Sequence, residues 1–426
     1  MKTRTLLVIG LIFVMSAVGC QKPRTLILPP PEPRKQAEPK LLPPETQKKD
    51  YSKQLPPGEL SLRKIIDPAD IPDFTAACND LSGLKKAINN SLNYLKKPSS
   101  KKFFPYGEIT HKQAEESLQV FAKLIDAGYE AAELNDLIRE QFDVYISVGC
   151  DDQGTVLYTG YFTPIFYGST KPDDRFKYPL YGPPEDLVKE NGVTLGRKTD
   201  EGISTYPSRA EIESSGMLKG REIIWLADPF EVYIAHAQGS AKIRQPDGSL
   251  IGIGYAANNG HEYKSVALQM VADGKISRDQ MSMSKMIAYF KAHPDEVSKY
   301  TRLNPRFVFF RIIDGPPRGT INEPVTALRT IATDKSIYPR ACLAFISTTL
   351  PRANGSEVVQ APYSGFALDQ DSGGAIRAPG RCDVYMGQGD EAGRLAGSTY
   401  REGRLYYLFL KPEYQQKAIL KEKNLD

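Results

Sequence analysis

The chain has 426 residues, 41% of them hydrophobic, and a formal net charge of +4. That length and apolar content supply cores for about two domains. So small a charge argues against binding driven by contacts to nucleic-acid phosphates, and no nucleic-acid partner is expected.

Lys2 and Arg4 precede an apolar run from Leu6 to Val18, which is short for a membrane span and fits the core of a signal peptide over residues 1–19. Small residues before Cys20 resemble a bacterial lipoprotein processing site, although Ala17 stands where leucine is usual. Cys20 would then be the lipidated first residue of the mature protein. Gln21 in place of aspartate favours an anchor on the periplasmic face of the outer membrane. The alternative is a plain secretory signal with a chance cysteine. Residues 20–69 read as a tether: Pro23 to Pro57 is rich in Pro, Lys, Glu and Gln and cannot bury enough apolar surface to fold. Where polyproline-like it would extend at about 3 Å per residue.

Helices follow. Leu84, Ile88, Leu92 and Leu95 are at helical spacing before Pro98. A Thr110/Gln113 capping box opens a second helix that ends at Gly128, and a third lies near 131–142. From about residue 144 the pattern changes to strands: VYISVGC, GTVLYTGYFTPIFYGS and REIIWLADPFEVYIAHAQGSAKI. Asp247-Gly248 marks a hairpin. Two helices come next, one within HEYKSVALQMVADG and one from about Ser277 to His293 opened by a Ser277/Gln280 capping box. Strands return in RFVFFRII, ACLAFIST, SGFALD, RCDVYMG and GRLYYLFL. The order describes a mostly-β protein with helical attachments.

Cys78, Cys150, Cys342 and Cys382 lack zinc-site spacing; an exported compartment permits disulfides, with three pairings open. Asp369-Gln370-Asp371 begins like a calcium loop, but Gly373 and Gly380 stand where two ligands belong. His111, His236, His261 and His293 have no metal spacing; His236 reads as a hydrogen-bonded core residue of an apolar strand. No metal or cofactor is expected. No nucleophile elbow or Ser/Lys motif is present. In RCDVYMG, Cys382, Val384 and Met386 alternate with Asp383 and Tyr385, so Asp383 and Tyr385 would face away from the core. A carboxylic acid beside apolar and aromatic surface keeps its proton to higher pH, which suits donation to a leaving oxygen. By pattern alone a solvent-facing strand aspartate is the commoner explanation of Asp383.

Asp334 in IATDKSIYP, Asp371 in DSGGAIR and Asp383 in RCDVYMG resemble the aspartates of the three-aspartate domain of lytic transglycosylases. TGYFTP, YPSRAEIE, IAHAQGSAKI, GYAANNGHEYKS and NPRFVFFR precede them in the same order, so residues from about 150 to 410 resemble the membrane-bound lytic murein transglycosylase A family. Ala378 stands where that family usually has glycine. The resemblance implies a double-psi β-barrel (70–158 plus 304–415) interrupted by a smaller inserted glycan-binding β-domain (159–303), with a groove between them. It implies cleavage of the β-1,4 bond between N-acetylmuramic acid and N-acetylglucosamine in peptidoglycan, leaving 1,6-anhydro ends. Asp383 would be the acid and then the base, Asp371 a supporting group or, equally, a turn stabiliser, and Asp334 structural. Asp369, outside the pattern, reads as a strand-end cap. Tyr161, Thr163, Gln238, Gly239, Ser240, Tyr255 and Asn259 are the candidate sugar contacts, with core packing an equal reading for Tyr161. Cell-wall synthases or hydrolases are candidate partners. The alternatives are a hydrolase of the same bond and a non-catalytic peptidoglycan-binding lipoprotein.

Overall fold

The computed structural model describes residues 49–190, 193–277, 283–355 and 357–415. The signal peptide, Cys20, most of the tether and the Gln280 half of the second capping box lie outside them. Six strands close into a barrel: Val156–Thr163, Thr330–Ala332, Leu343–Asn354, Glu357–Asp371, Arg381–Gln388 and Tyr400–Leu410. Closure depends on the last strand. Its first part, Tyr400–Gly403, pairs with Val156–Thr159, and Arg404–Tyr407 pairs with Ala344–Ser347. Two neighbouring pairs are parallel, Arg381–Gln388 with Val156–Thr163 and Thr330–Ala332 with Glu357–Asp371. Alternation divides the side chains: Tyr158, Ile331, Ala344, Ala367, Cys382 and Val384 fill the barrel. Phe345, Phe366, Leu368 and Leu408 point outward beneath the helices Leu84–Leu95, His111–Ala127 and Ala131–Gln141.

The strands Phe142–Ser147 and Leu62–Lys64 extend this sheet. Ser61 is fully buried, and Lys49 pairs with Glu402, so the tether predicted to run to residue 69 meets the folded body well before that. Thr110 caps its helix by accepting from the Gln113 N–H, but the Gln113 side chain donates to the Leu410 carbonyl instead of closing the box.

The second sheet has six strands in the order Val308–Ile313, Leu250–Asn258, Ser240–Arg244, Ile165–Ser169, Glu222–Leu226 and Tyr178–Tyr181. The chain leaves the barrel after Thr163 and returns after Ile313, whereas the sequence predicts junctions at 159 and 303. One face of this sheet is covered by the helices Pro229–Gln238, Val266–Ala272, Met283–Ala292 and Val297–Thr301. The first of these replaces a predicted strand. Asp228 accepts from the Phe230 N–H, Pro229 starts the helix and Gly239 ends it at φ 74°. His236 is therefore a helix residue, buried and held neutral by that burial, with Nδ1 accepting from the Val308 N–H at 2.9 Å. A continuous apolar run cannot separate a buried helix from a strand; the D-P…G punctuation does. A small sheet of Leu187–Glu190, Val193–Thr199 and Gly202–Ser204 completes the insert. All four cysteines among the described residues are buried free thiols. This is a barrel carrying a smaller inserted β-domain, the architecture implied by the sequence resemblance.

Candidate active site

The strand Arg381–Gln388 alternates as its sequence predicts. Cys382, Val384 and Met386 lie in the barrel core; on the other face Asp383 is largely buried and Tyr385 is fully buried against Tyr161. Asp383 pairs with Ala332, and Ala332 pairs on its other side with Asp371. Ladder partners share a face, so both carboxylates project to the same side, their Cα atoms two strand spacings or about 10 Å apart.

Asp369 and Asp371, two residues apart, would share a face in a regular strand. The ladder slips between Ile331 and Ala332, which pair with Asp369 and Asp371 respectively, leaving Gln370 as a bulge. Asp369 consequently points into the barrel. It is fully buried, accepts from Thr333 Oγ1 and Tyr407 OH, each at 2.7 Å, and forms an ion pair with buried Lys335. It is a core ion pair, not the strand-end cap predicted. Gln370 donates to Ala87 O (2.7 Å) and Ser91 Oγ (3.0 Å), fastening the strand to the helix Leu84–Leu95.

Asp371 has both oxygens held. Oδ1 accepts from the backbone N–H groups of Thr320 (3.0 Å) and Ser372 (2.8 Å), and Oδ2 from Tyr161 OH (2.8 Å). The Thr320 contact needs glycine at 319, where a Cβ would lie 2.5 Å from Gln370 O. Burial raises the Asp371 carboxyl against these hydrogen bonds. Burial also holds Tyr161 as a neutral phenol, its ring 5.1 Å from Tyr385.

Asp383 accepts from Thr159 Oγ1, and Thr159 Oγ1 in turn accepts from Arg381 Nη2 at 3.2 Å. Burial pushes the Asp383 carboxyl up to about 6; the Arg381 charge opposes this and Asp371 adds to it. No other side chain is hydrogen-bonded to Asp383 among the described residues.

The other predicted residues separate into two groups. Thr163 is buried, with its hydroxyl 2.9 Å from Tyr385 OH and 3.4 Å from Ser240 Oγ. Gln238 Oε1 accepts from the Phe162 N–H at 3.1 Å. Tyr161, Thr163, Gln238, Gly239 and Ser240 thus meet where the insert adjoins the two carboxylates. Tyr255 is exposed farther along the insert, and its hydroxyl accepts from Asn258 Nδ2 at 2.5 Å. Asn259 does not reach the groove. It is buried, donating to Pro207 O and Pro305 O and accepting from the Phe307 N–H, so its amide is a backbone clamp. Asp334 is also buried. It accepts from Ser336 and from the N–H of Ala378, whose φ is +69° where the family pattern has glycine. Thr159 and Arg381 escape a motif-by-motif reading. The signal for Thr159 is its spacing, two residues before Tyr161 on the same face; Arg381 stands likewise two before Asp383.

Residues 157–311 match the family model described as the MltA specific insert domain, and 329–409 match the 3D domain. Membrane-bound lytic murein transglycosylase A of Escherichia coli K12 is 30% identical over 273 residues, 63% of this chain and 70% of that protein. The protein of the same name from Vibrio cholerae serotype O1 is 29% identical over 299 residues, 68% of this chain and 72% of that one. A crystal structure of membrane-bound lytic murein transglycosylase from Agrobacterium tumefaciens aligns with a TM-score of 0.68 at 25% identity, covering 82% of this chain and 98% of that one. E. coli MltA with bound chitohexaose shares the fold, with a TM-score of 0.63 at 24% identity over 86% of this chain and 97% of that one. A barrel whose matched domain contains Asp371 and Asp383, an insert matched across nearly its whole length and a relative at this identity over this span together establish that the chain belongs to the membrane-bound lytic murein transglycosylase A family.

Proposed function

We propose that this protein is a lytic transglycosylase that binds peptidoglycan glycan strands and cleaves the β-1,4 bond between N-acetylmuramic acid and N-acetylglucosamine, with Asp383 as the single acid and base. The supporting observation is a desolvated carboxyl, pushed up to about 6, on a face shared with a second aspartate that is fully hydrogen-bonded. Protonated Asp383 gives its proton to the glycosidic oxygen as the C1–O bond breaks. The muramic acid 6-hydroxyl attacks C1, and its proton passes to the Asp383 carboxylate, restoring the acid. No water is consumed and a 1,6-anhydro end results. The attacking hydroxyl belongs to the same sugar, so much of the entropic barrier to bringing the groups together is absent. The two-carboxylate schemes of most glycosidases need a second free carboxylate; Asp371, with three donors on its oxygens, is a poor nucleophile and a good anchor for Tyr161. Gln238 and Ser240, partly exposed where the insert adjoins the two carboxylates, offer a neutral amide and a hydroxyl that suit sugar hydroxyls; Thr163 is buried beneath them against Tyr385.

Mass spectrometry of digested strands tests this directly. Anhydro ends are expected; reducing ends would make the protein a hydrolase, and intact strands a binding protein. Asp383→Asn is expected to cut the formation of anhydro products by about 10²–10⁴ while glycan binding survives, and wild-type activity in that variant removes Asp383 from the role.

The relatives are named as membrane-bound. Among the described residues no helix is long and apolar enough to cross a membrane. We propose attachment through lipidated Cys20 at the periplasmic face of the outer membrane, on the strength of the Leu6–Val18 run and the Gly19-Cys20 pair. Mass analysis of the mature N-terminus, with Cys20→Ser released from the membrane fraction, tests it.

A further inference from the structure

Helices cover one face of the six-stranded insert sheet; the other face, apart from Ser240 at its end, has no part in the chemistry above. Register aligns Arg311, Gly254 and Ser240 across it, then Lys242 opposite Gly252, then Arg244 opposite Tyr167. The glycines make room for Ile313 and Lys242 to lie across this face: a Cβ at Gly252 would lie 2.7 Å from Ile313 O and 3.2 Å from Lys242 Nζ, and one at Gly254 would lie 3.2 Å from Ile313 Cδ1. Lys242 reaches across that strip and donates to Gly315 O at 2.5 Å, while Arg311 Nη2 donates to Asn322 Oδ1 at 3.0 Å. Among the described residues none of Lys242, Arg244 and Arg311 has a carboxylate partner. Lys242 and Arg244, two residues apart on one strand, point the same way at a separation of about 7 Å. Like charges so placed repel, and a bound anion relieves the repulsion.

This face joins the site at two places. Ser240, on the same strand, is 3.4 Å from Thr163, which meets Tyr385. Asn322, the partner of Arg311, is in the turn whose Thr320 N–H holds Asp371. Arg244 is four residues from Ser240, about 13 Å along the strand.

We propose that this face is a subsite for the acidic peptide carried by the muramic acid of the substrate, with Lys242 and Arg244 receiving its carboxylates. The proposal rests on the reading of the substrate as peptidoglycan. An extended peptide of about four residues spans the distance from Ser240 to Arg244. Arginine and lysine are the natural partners of carboxylates, and an extended peptide laid along the strand brings its acidic groups to both cations. Lys242 is half-buried against the crossover at Gly315, an arrangement that suits a single chain lying in a cleft better than a flat membrane surface.

The test compares two probes: glycan strands bearing tetrapeptides, and the same strands stripped by an amidase. Calorimetry is done in the Asp383→Asn background with and without Lys242→Met/Arg244→Met, and cleavage kinetics in the active background. The expected result is a Kd and KM roughly tenfold higher for peptide-bearing strands, a loss of about 1.4 kcal/mol, with stripped strands unchanged. Equal weakening on both probes, or none on either, overturns the proposal. So does a loss confined to binding of phosphatidylglycerol vesicles. Arg244→Glu alone serves if the double variant fails to fold. If the wild type makes no anhydro ends from either probe, the functional reading fails, while the calorimetric difference still decides this one.

Discussion

Asp371 and Asp383 flank Ala332 in adjacent ladders, so two carboxylates from strands ten residues apart in sequence share one face of the barrel. Their partners make them unequal: three donors on Asp371, one hydroxyl on Asp383. Asp383→Asn is therefore expected to cost about 10²–10⁴ in kcat, the usual worth of a general acid and base. Asp371→Asn and Tyr161→Phe are expected to cost less. Because the two residues share one hydrogen bond, their double variant should resemble the worse single variant. Additive losses in single-turnover rates would mean that they act separately.

In the proposed role Asp383 must be protonated to donate, and its carboxyl is pushed up to about 6 by burial. Activity is expected to be full below that value and to fall as pH rises through it. The Arg381 charge holds the carboxyl down. Arg381→Met should move the falling limb to higher pH, and Arg381→Lys should leave it close to wild type. A lower rate with an unmoved limb in Arg381→Met would show Arg381 to be structural only.

The same displacement bears on stability. The folded carboxyl has a higher pKa than the unfolded one, so the folded state holds the extra proton between the unfolded value of about 3.9 and about 6. Its contribution is fully present at low pH and is lost as pH rises through about 6. Asp383→Asn removes the desolvated charge and should raise Tm by on the order of 2–4 °C at pH 7, with the gain shrinking below pH 4. Calorimetric melts of both proteins across that range test the sign.

Much of this site is legible in the sequence because a strand has a period of two. RCDVYMG identifies Cys382, Val384 and Met386 as core and Asp383 as outward, and the described structure agrees. The opposite fates of Asp369 and Asp371 are not legible. They follow from the bulge at Gln370, which depends on the partner strand and on the Gln370 anchor to Ala87 and Ser91 some 280 residues away in the chain. The helix Pro229–Gln238 is an intermediate case: its cap and stop residues are in the sequence, and an apolar run obscures them. Asn259 has the right chemistry for a sugar contact and the wrong burial, a property that only the packed fold decides.

The buried pair Asp369–Lys335 makes a separate prediction. Breaking a buried ion pair leaves an uncompensated charge and costs about 3–5 kcal/mol, whereas replacing both partners is often neutral. Lys335→Met alone should be strongly destabilising, and Asp369→Asn/Lys335→Met should recover much of the loss in denaturant melts. The product should still carry anhydro ends, because Asp369 points into the barrel, away from the face of Asp383.

Asn259→Ala is the complementary test in the insert. Its amide makes three hydrogen bonds to backbone groups of two segments, 207 and 305–307, and both of its N–H donors are used. Truncation leaves those buried groups unpaired, at about 1–3 kcal/mol for each unsatisfied group. The expected outcome is a lowered Tm with KM for glycan strands unchanged at temperatures where the variant is folded. Ser240→Ala, whose hydroxyl is partly exposed beside Thr163 and is proposed to meet sugar, should show the reverse: little change in Tm and a raised KM. If Asn259→Ala raises KM without lowering Tm, Asn259 is a groove residue after all.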